Sequence, residues 1–175
     1  DDLSRGLGDV YKRQQESSNK IIQDGEIVSF DTDMVGPYGY CADISRAFVC
    51  GNKFNENQKK LYQTAVDQID YNSRLIKAGL TFKEFTEKAW ILPEKYYGNR
   101  YSVMLHGIGL CDEWPAIRYP TDGGERGGTF QKNMTITLES YIGVVGGNEG
   151  VKLEQQYLVG ENGLELMSHH PLEKI

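Results

Sequence analysis

The chain has little cysteine, no long apolar run and no excess of basic charge. Its 175 residues include three cysteines, Cys41, Cys50 and Cys111. An odd number with no CxxC pair indicates neither a disulfide framework nor a thiolate zinc site, which leaves buried free thiols as the favoured reading. No apolar stretch approaches the roughly 20 residues that span a bilayer. No charged-then-apolar leader precedes a small-residue cleavage site, so a soluble, cytoplasmic protein without a membrane partner is expected. The 19 Lys and Arg against 25 Asp and Glu give a formal net charge of -6, and the basic residues are scattered. Such a surface has no patch to neutralise phosphates, so no nucleic-acid partner is expected.

What is present is enough hydrophobic residue, 39% of the chain, to bury a core. Ile27, Val28 and Phe30 lead into Asp31 as a strand. The Gly-Pro-Tyr-Gly turn at Gly36 to Gly39 returns the chain through YCADISRAFVC as its antiparallel partner. This hairpin brings Asp31 and Asp33 near Asp43. In a regular strand Asp31 and Asp33, two apart, share one face. Leu61, Ala65, Ile69, Leu75 and Ile76 predict a helix from Asn55 to Ala78, stopped by Gly79. Thr81 with Glu84 caps a second helix carrying Phe82, Phe85 and Ala89. YSVML forms a strand into His106, and a Gly-rich, Pro-containing loop follows from Asp112 to Gly128. Overlapping its end, Thr121 to Phe130 lacks the Lys and helix of a phosphate-binding loop and reads as a flexible segment, a candidate lid. MTITLES, VKLEQQYLV and ELM read as three further strands. The order predicts an α+β fold with an antiparallel sheet.

Aspartate is depleted from strand interiors, and a buried ionised carboxylate is costly unless it is paired or binds metal. Asp31, Asp33 and Asp43 on one hairpin therefore call for cations. Arg46 is close in sequence and reads as a structural ion-pair partner. Adding His106, Glu139 and Glu154 gives five carboxylates and one imidazole, a set suited to iron, manganese, cobalt or zinc rather than copper. A solvated acidic face is the competing reading. His169 and His170, near the end of the chain, are expected to be exposed.

The segments DTDMVGPYGYCADISRAF, HGIGL, TLES and GVKLEQQYLV resemble, in that order, the metal-binding segments of the pita-bread superfamily. That superfamily includes methionine aminopeptidase, proline dipeptidase, aminopeptidase P and creatinase. The resemblance runs from about Gly25 to His169 and implies a curved antiparallel sheet with flanking helices, truncated at its N-terminal side. It implies a dinuclear site in which Asp31 and Asp43 bind the metals from the hairpin, His106 and Glu139 add to the shell, and Glu154 bridges. Creatinase lacks this ligand set and is disfavoured. It also implies a homodimer for the full-length protein. Arg5 to Gln14, RGLGDVYKRQ, resembles the translated read-through of a sequencing adapter found in assembled environmental reads. Residues 1–14 are thus expected to be a non-native arm, and 15–175 a partial C-terminal catalytic domain.

Two departures from the peptidase pattern bear on the reaction. Asp31 and Asp43 stand twelve residues apart instead of the peptidases' usual eleven, with Asp33 as an additional carboxylate ten before Asp43. Glu113 occupies the position seven after His106, where the peptidases carry a second histidine that contacts the substrate carbonyl. An ionised carboxylate cannot donate a hydrogen bond to a developing oxyanion. Both departures resemble the DddP-type dimethylsulfoniopropionate lyases of the same superfamily. That resemblance implies that Asp33 joins the ligands, that the two divalent ions are iron, and that Asp112, six after His106, is the base. The implied reaction is β-elimination of a small molecule, dimethylsulfoniopropionate, to acrylate and dimethyl sulfide. Tyr101 and Trp114 are candidates to hold the sulfonium by cation–π contact, with core packing the alternative for both. Xaa-Pro peptidase chemistry on the same metals, or a binding module that has lost catalysis, stand as the alternatives.

Overall fold

The computed structural model describes residues 19–51, 53–173 and 175. The arm expected over residues 1–14 lies outside the described residues. Strands β1 (Ile27–Asp31) and β4 (Ser45–Val49) pair antiparallel, with Asp31 opposite Ser45. Between them, β2 (Met34–Val35) and β3 (Cys41–Ala42) form a second small ladder around a turn at Pro37–Gly39. That turn takes two successive left-handed residues, Tyr38 at φ 63° and Gly39 at φ 81°, and glycine adopts the second without steric cost. The expected hairpin is therefore present but interrupted. β1 ends at Asp31 and the return strand breaks at Asp43 and Ile44, so Asp31 and Asp33 do not lie on one regular strand face.

Helix α1 (Glu56–Leu75) begins at Asn55, whose side chain caps the amides of Asn57 and Gln58 while Gln58 caps Asn55 in return. Its buried face carries Leu61, Tyr62, Ala65 and Ile69. The helix ends earlier than Ala78. Ala78 and Gly79 instead donate their amides to the carbonyls of Gly160 and Phe130, so tertiary hydrogen bonds replace further helical turns. α2 (Phe82–Lys88) has the reciprocal Thr81–Glu84 cap and ends before Ala89, its C-cap. A one-turn helix, α3 (Glu94–Tyr97), starts after Pro93 and was not expected.

The main sheet runs β6-β5-β7-β8-β9 and is antiparallel throughout: β5 (Val103–Gly107), β6 (Ala116–Arg118), β7 (Thr135–Gly143), β8 (Gly150–Val159) and β9 (Leu164–Leu166). β6 stands inside the segment read as a loop from Asp112 to Gly128. Three residues are too few to show a period, and it forms because Ala116 and Ile117 pair with His106 and Leu105. The Thr121–Phe130 segment is anchored rather than free at its far end. Phe82 donates its amide to Gly128, Thr129 bridges Thr81, and Phe130 is buried.

α1 packs across β7 and β8, where Tyr62, Ala65, Leu138, Ile142, Val151 and Leu153 are fully buried. Each large apolar side chain so buried stabilises the fold by about 1.5–3 kcal/mol relative to exposure. Two polar residues on this helix face are satisfied: Gln68 donates to the Tyr119 hydroxyl and accepts from Ser140, and Asn72 accepts from the Trp90 amide. The cysteines are free, as expected, but not buried. Cys41 and Cys50 are half-buried and Cys111 is exposed, because they sit on the hairpin and its neighbouring loop rather than in the helix–sheet core. No helix among the described residues is long and apolar enough to cross a membrane.

Candidate metal centre

The β7–β8 register sets Glu139 directly opposite Glu154. Both are buried, as are His106 from β5 and Asp43 from the break between β3 and β4. His106 Nε2 lies 3.5 Å from Asp43 Oδ2, 3.3 Å from Glu139 Oε1 and 3.4 Å from Glu154 Oε1. One N–H cannot serve three acceptors at nearly equal range. Accordingly Glu139 Oε1 and Glu154 Oε1 are buried with no hydrogen-bond partner, as is Asp43 Oδ1, the other oxygen of that carboxylate. His106 Nδ1 is 3.0 Å from the Gly107 carbonyl. A proton donated there leaves Nε2 with its lone pair toward the carboxylates, the arrangement of a metal-binding imidazole.

The acidic side chains fall into two groups, Asp43 with His106 and Glu154, and Asp31 with Asp33 and Asp43. Within each, one ligand atom per residue lies within 4.8 Å of the others. The groups share Asp43, so one carboxylate reaches both. Orphaned buried oxygens, a mixed carboxylate–imidazole donor set and a shared carboxylate all fit two divalent ions. All six residues expected as ligands from the sequence are thus brought to one place, with Glu139 joining through His106.

The electrostatics show how heavily the cluster depends on cations. Burial, with the charges of Glu154 and Asp33, pushes the Asp43 carboxyl up to about 9 against the pull of His106. Burial likewise raises Glu139, to about 8. Burial alone would depress His106, but Asp43, Glu154 and Glu139 overcome it and push the imidazole up to about 12. Burial would raise Glu154, yet Lys152 and His106 hold it down to about 2. Without metal the cluster retains protons to limit its charge.

The sequence reading missed Lys152. Its Nζ lies 2.6 Å from Glu139 Oε2, 3.3 Å from Asp31 Oδ2 and 3.7 Å from Glu154 Oε2. The signal was available, since Lys152 is two residues before Glu154 on β8 and so shares its face. Arg46, expected as the ion-pair partner, is turned elsewhere. It follows Ser45 on β4, and Ser45 takes the side facing the cluster, with Oγ donating to Asp31 Oδ1 and lying 3.0 Å from Glu154 Oε2. The Arg46 guanidinium donates to the carbonyls of Ser45, Glu154 and His170 and to Gln155 Oε1. It therefore ties the C-terminal segment to β8.

Asp112, Glu113 and Trp114 belong to the tight connection between β5 and β6. Gly107 N donates to the Pro115 carbonyl at 2.9 Å and closes its base. A Cβ on Gly107 would stand 2.2 Å from the Trp114 carbonyl oxygen, so only glycine fits there. Cys41 N donates to the Gly109 carbonyl at 2.7 Å and fastens the loop to β3. Asp112 is exposed, and its charge is among those that raise Asp33. Tyr101 is buried, and Lys152 Nζ already lies 4.8 Å from the centre of its ring. Trp114 is 56% exposed, with the Arg126 guanidinium 5.7 Å from its ring centre. His169 and His170 are exposed, and His170 meets Phe48 edge-on.

Residues 9–161 match the model of metallopeptidase family M24. The dimethylsulfoniopropionate lyase DddP of Roseovarius nubinhibens is 38% identical over 162 residues, covering 91% of this chain and 36% of the lyase. The Xaa-Pro dipeptidase of Pyrococcus horikoshii is 32% identical over 164 residues, covering 91% of this chain and 44% of the dipeptidase. Among solved structures, the P. horikoshii prolidase superposes with a TM-score of 0.75 at 29% identity, over 91% of this chain and 44% of that one. The X-Pro aminopeptidase of Thermotoga maritima gives 0.71 at 25% identity, over 90% and 43%. The chain thus spans under half the length of these relatives. These relatives share the pita-bread fold, with its antiparallel sheet and flanking helices. Carrying this fold and a buried carboxylate–histidine cluster, the chain belongs to metallopeptidase family M24.

Proposed function

We propose that this chain carries the metal centre of an iron-dependent lyase that cleaves dimethylsulfoniopropionate to acrylate and dimethyl sulfide. The observation that carries the reading is the acidic pair Asp112–Glu113 on the loop beside the cluster. A peptidase of this family would need an imidazole there to polarise a peptide carbonyl. Of the chain's three histidines, only His106 is at the cluster. The 38% identity to a lyase, against 32% to a dipeptidase, points the same way.

Asp31, Asp33, Asp43, His106, Glu139 and Glu154 are the residues that would hold the two ions. When bound, the ions supply Lewis-acid stabilisation of the charge that develops on the substrate carboxylate. Asp112 takes the proton from the carbon next to that carboxylate. The electron pair of the broken C–H bond forms the new C=C bond as the C–S bond breaks, and dimethyl sulfide leaves neutral, needing no acid. Asp112 is exposed, so water can carry the proton away after each turnover. A positioned base of this kind contributes about 10²- to 10⁴-fold. Trp114, exposed on the same loop and with the Arg126 guanidinium no closer than 5.7 Å to its ring centre, offers its ring to the sulfonium. Tyr101 offers less, since Lys152 already lies near its ring.

The test is Asp112→Asn. Turnover should fall by about 10²- to 10⁴-fold with metal content unchanged. Loss of metal together with activity would make Asp112 a ligand and remove it as the base. A homodimer and a cytoplasmic location are proposed with the lyase reading, for the longer protein.

A further inference from the structure

We propose that Glu113 selects a cationic substrate, its carboxylate serving as counter-charge for the sulfonium end while the opposite end of the zwitterion reaches the metal cluster. This rests on the lyase reading and assigns a specificity-determining residue to that same site.

Three observations converge on Glu113. Its backbone lies at φ 54°, in the left-handed region that glycine enters freely and a long side chain rarely does. An acid held at such a position beside a candidate active site marks a functional constraint. The conformation is fixed locally, because Asp112 Oδ1 accepts the Glu113 amide hydrogen at 3.0 Å and the loop base is closed by Gly107 and Pro115. Second, the residue is half-buried, yet no described residue forms a hydrogen bond or ion pair with its carboxylate. Third, burial and the charges of Asp112 and Asp33 raise its carboxyl above the usual carboxylate range against the pull of His106 and Lys152, as expected at the edge of the carboxylate cluster.

A further carboxylate at an acidic mouth raises the energy of the empty site unless a cation arrives to neutralise it. The nearby cations are already engaged, His106 among Asp43, Glu139 and Glu154 and Lys152 among Glu139, Asp31 and Glu154. Glu113 is not among the six residues that would hold the ions, so a bound ligand is the positive charge with which it can pair directly. A sulfonium carries methyl groups and no N–H, so it is recognised by charge and not by hydrogen bonds, and a carboxylate without a fixed donor suits it. The same charge repels a substrate carboxylate, which directs that end away from the loop and toward the ions. It also disfavours dipeptides, whose free terminal carboxylate would approach the same mouth.

The experiment compares two ligands on metal-loaded protein in the Asp112→Asn background, where elimination is blocked. Dimethylsulfoniopropionate and 4-methylpentanoate have nearly the same shape and the same carboxylate but differ by the positive charge. With Glu113 present, the zwitterion should bind about tenfold or more tighter. In Asp112→Asn, Glu113→Gln the ratio should approach one while metal content and melting temperature hold. An unchanged ratio, a ratio near one with Glu113 in place, or loss of metal in the Gln variant would overturn the assignment. Acrylate release by the protein with Asp112 intact is scored separately. Charge discrimination without acrylate would defeat the lyase reading and leave Glu113 as a cation selector, whereas acrylate release with no charge discrimination would do the reverse.

Discussion

Glu139 and Glu154 face each other directly across β7 and β8, both buried. Two like charges at opposed positions of an antiparallel pair repel, and in a buried site the repulsion is only weakly screened. They are held together by His106 Nε2 between Oε1 of each and by Lys152 Nζ on the other oxygens. The pair therefore depends on the cations around it.

Lys152→Met removes the one buried ammonium in the cluster and leaves Glu139 Oε2 and Asp31 Oδ2 without it. Breaking a buried ion pair on one side costs about 3–5 kcal/mol, and chemical denaturation of metal-free protein measures it. Metal-loaded protein should lose less, because the ions replace part of the missing charge. Equal losses in both forms would show that Lys152 acts by packing alone.

Metal removal should destabilise the protein in a pH-dependent way. Asp43, Glu139 and His106 have folded pKa values above their unfolded ones. The stability they give the metal-free protein is therefore full only below their unfolded values of 3.8, 4.5 and 6.5, and is lost progressively as pH rises from there through about 9, 8 and 12. Glu154, held near 2, contributes in the opposite sense, and its share is lost only as pH falls toward 2. Metal binding requires the deprotonated ligands and so strengthens as pH rises. The melting-temperature gap between loaded and chelated protein should widen from about pH 5.5 to about pH 8.5. A constant gap would mean that metal and protons do not compete at this cluster.

Gly107→Ala places a methyl 2.2 Å from the Trp114 carbonyl oxygen. Backbone must shift to admit it, at a cost of about 1–3 kcal/mol. The displaced loop carries Asp112 and Glu113, so turnover should fall further than stability would predict. Thermal melting and steady-state kinetics of the variant separate the two effects.

Much of this fold was legible because its signals are local. The Thr81–Glu84 cap, the Asn55 start of α1 and the strands around His106, Glu139 and Glu154 each rest on residues a few positions apart. What sequence reading missed depends on partners distant in the chain. β6 exists only through pairing with β5, and α1 stops before Ala78 because Gly160 and Phe130 claim the next amides. Arg46 turns from the carboxylates because Ser45 takes the face toward Glu154, 109 residues away. The six clustered residues were named by order and type, whereas Lys152 required following the two-residue period of a strand back from Glu154.

The most direct test of the central claim is product analysis with iron-loaded protein given dimethylsulfoniopropionate in one reaction and an Xaa-Pro dipeptide in another. The lyase assignment predicts acrylate and dimethyl sulfide from the first and no free proline from the second. Proline release without acrylate would contradict it and return the site to peptide hydrolysis.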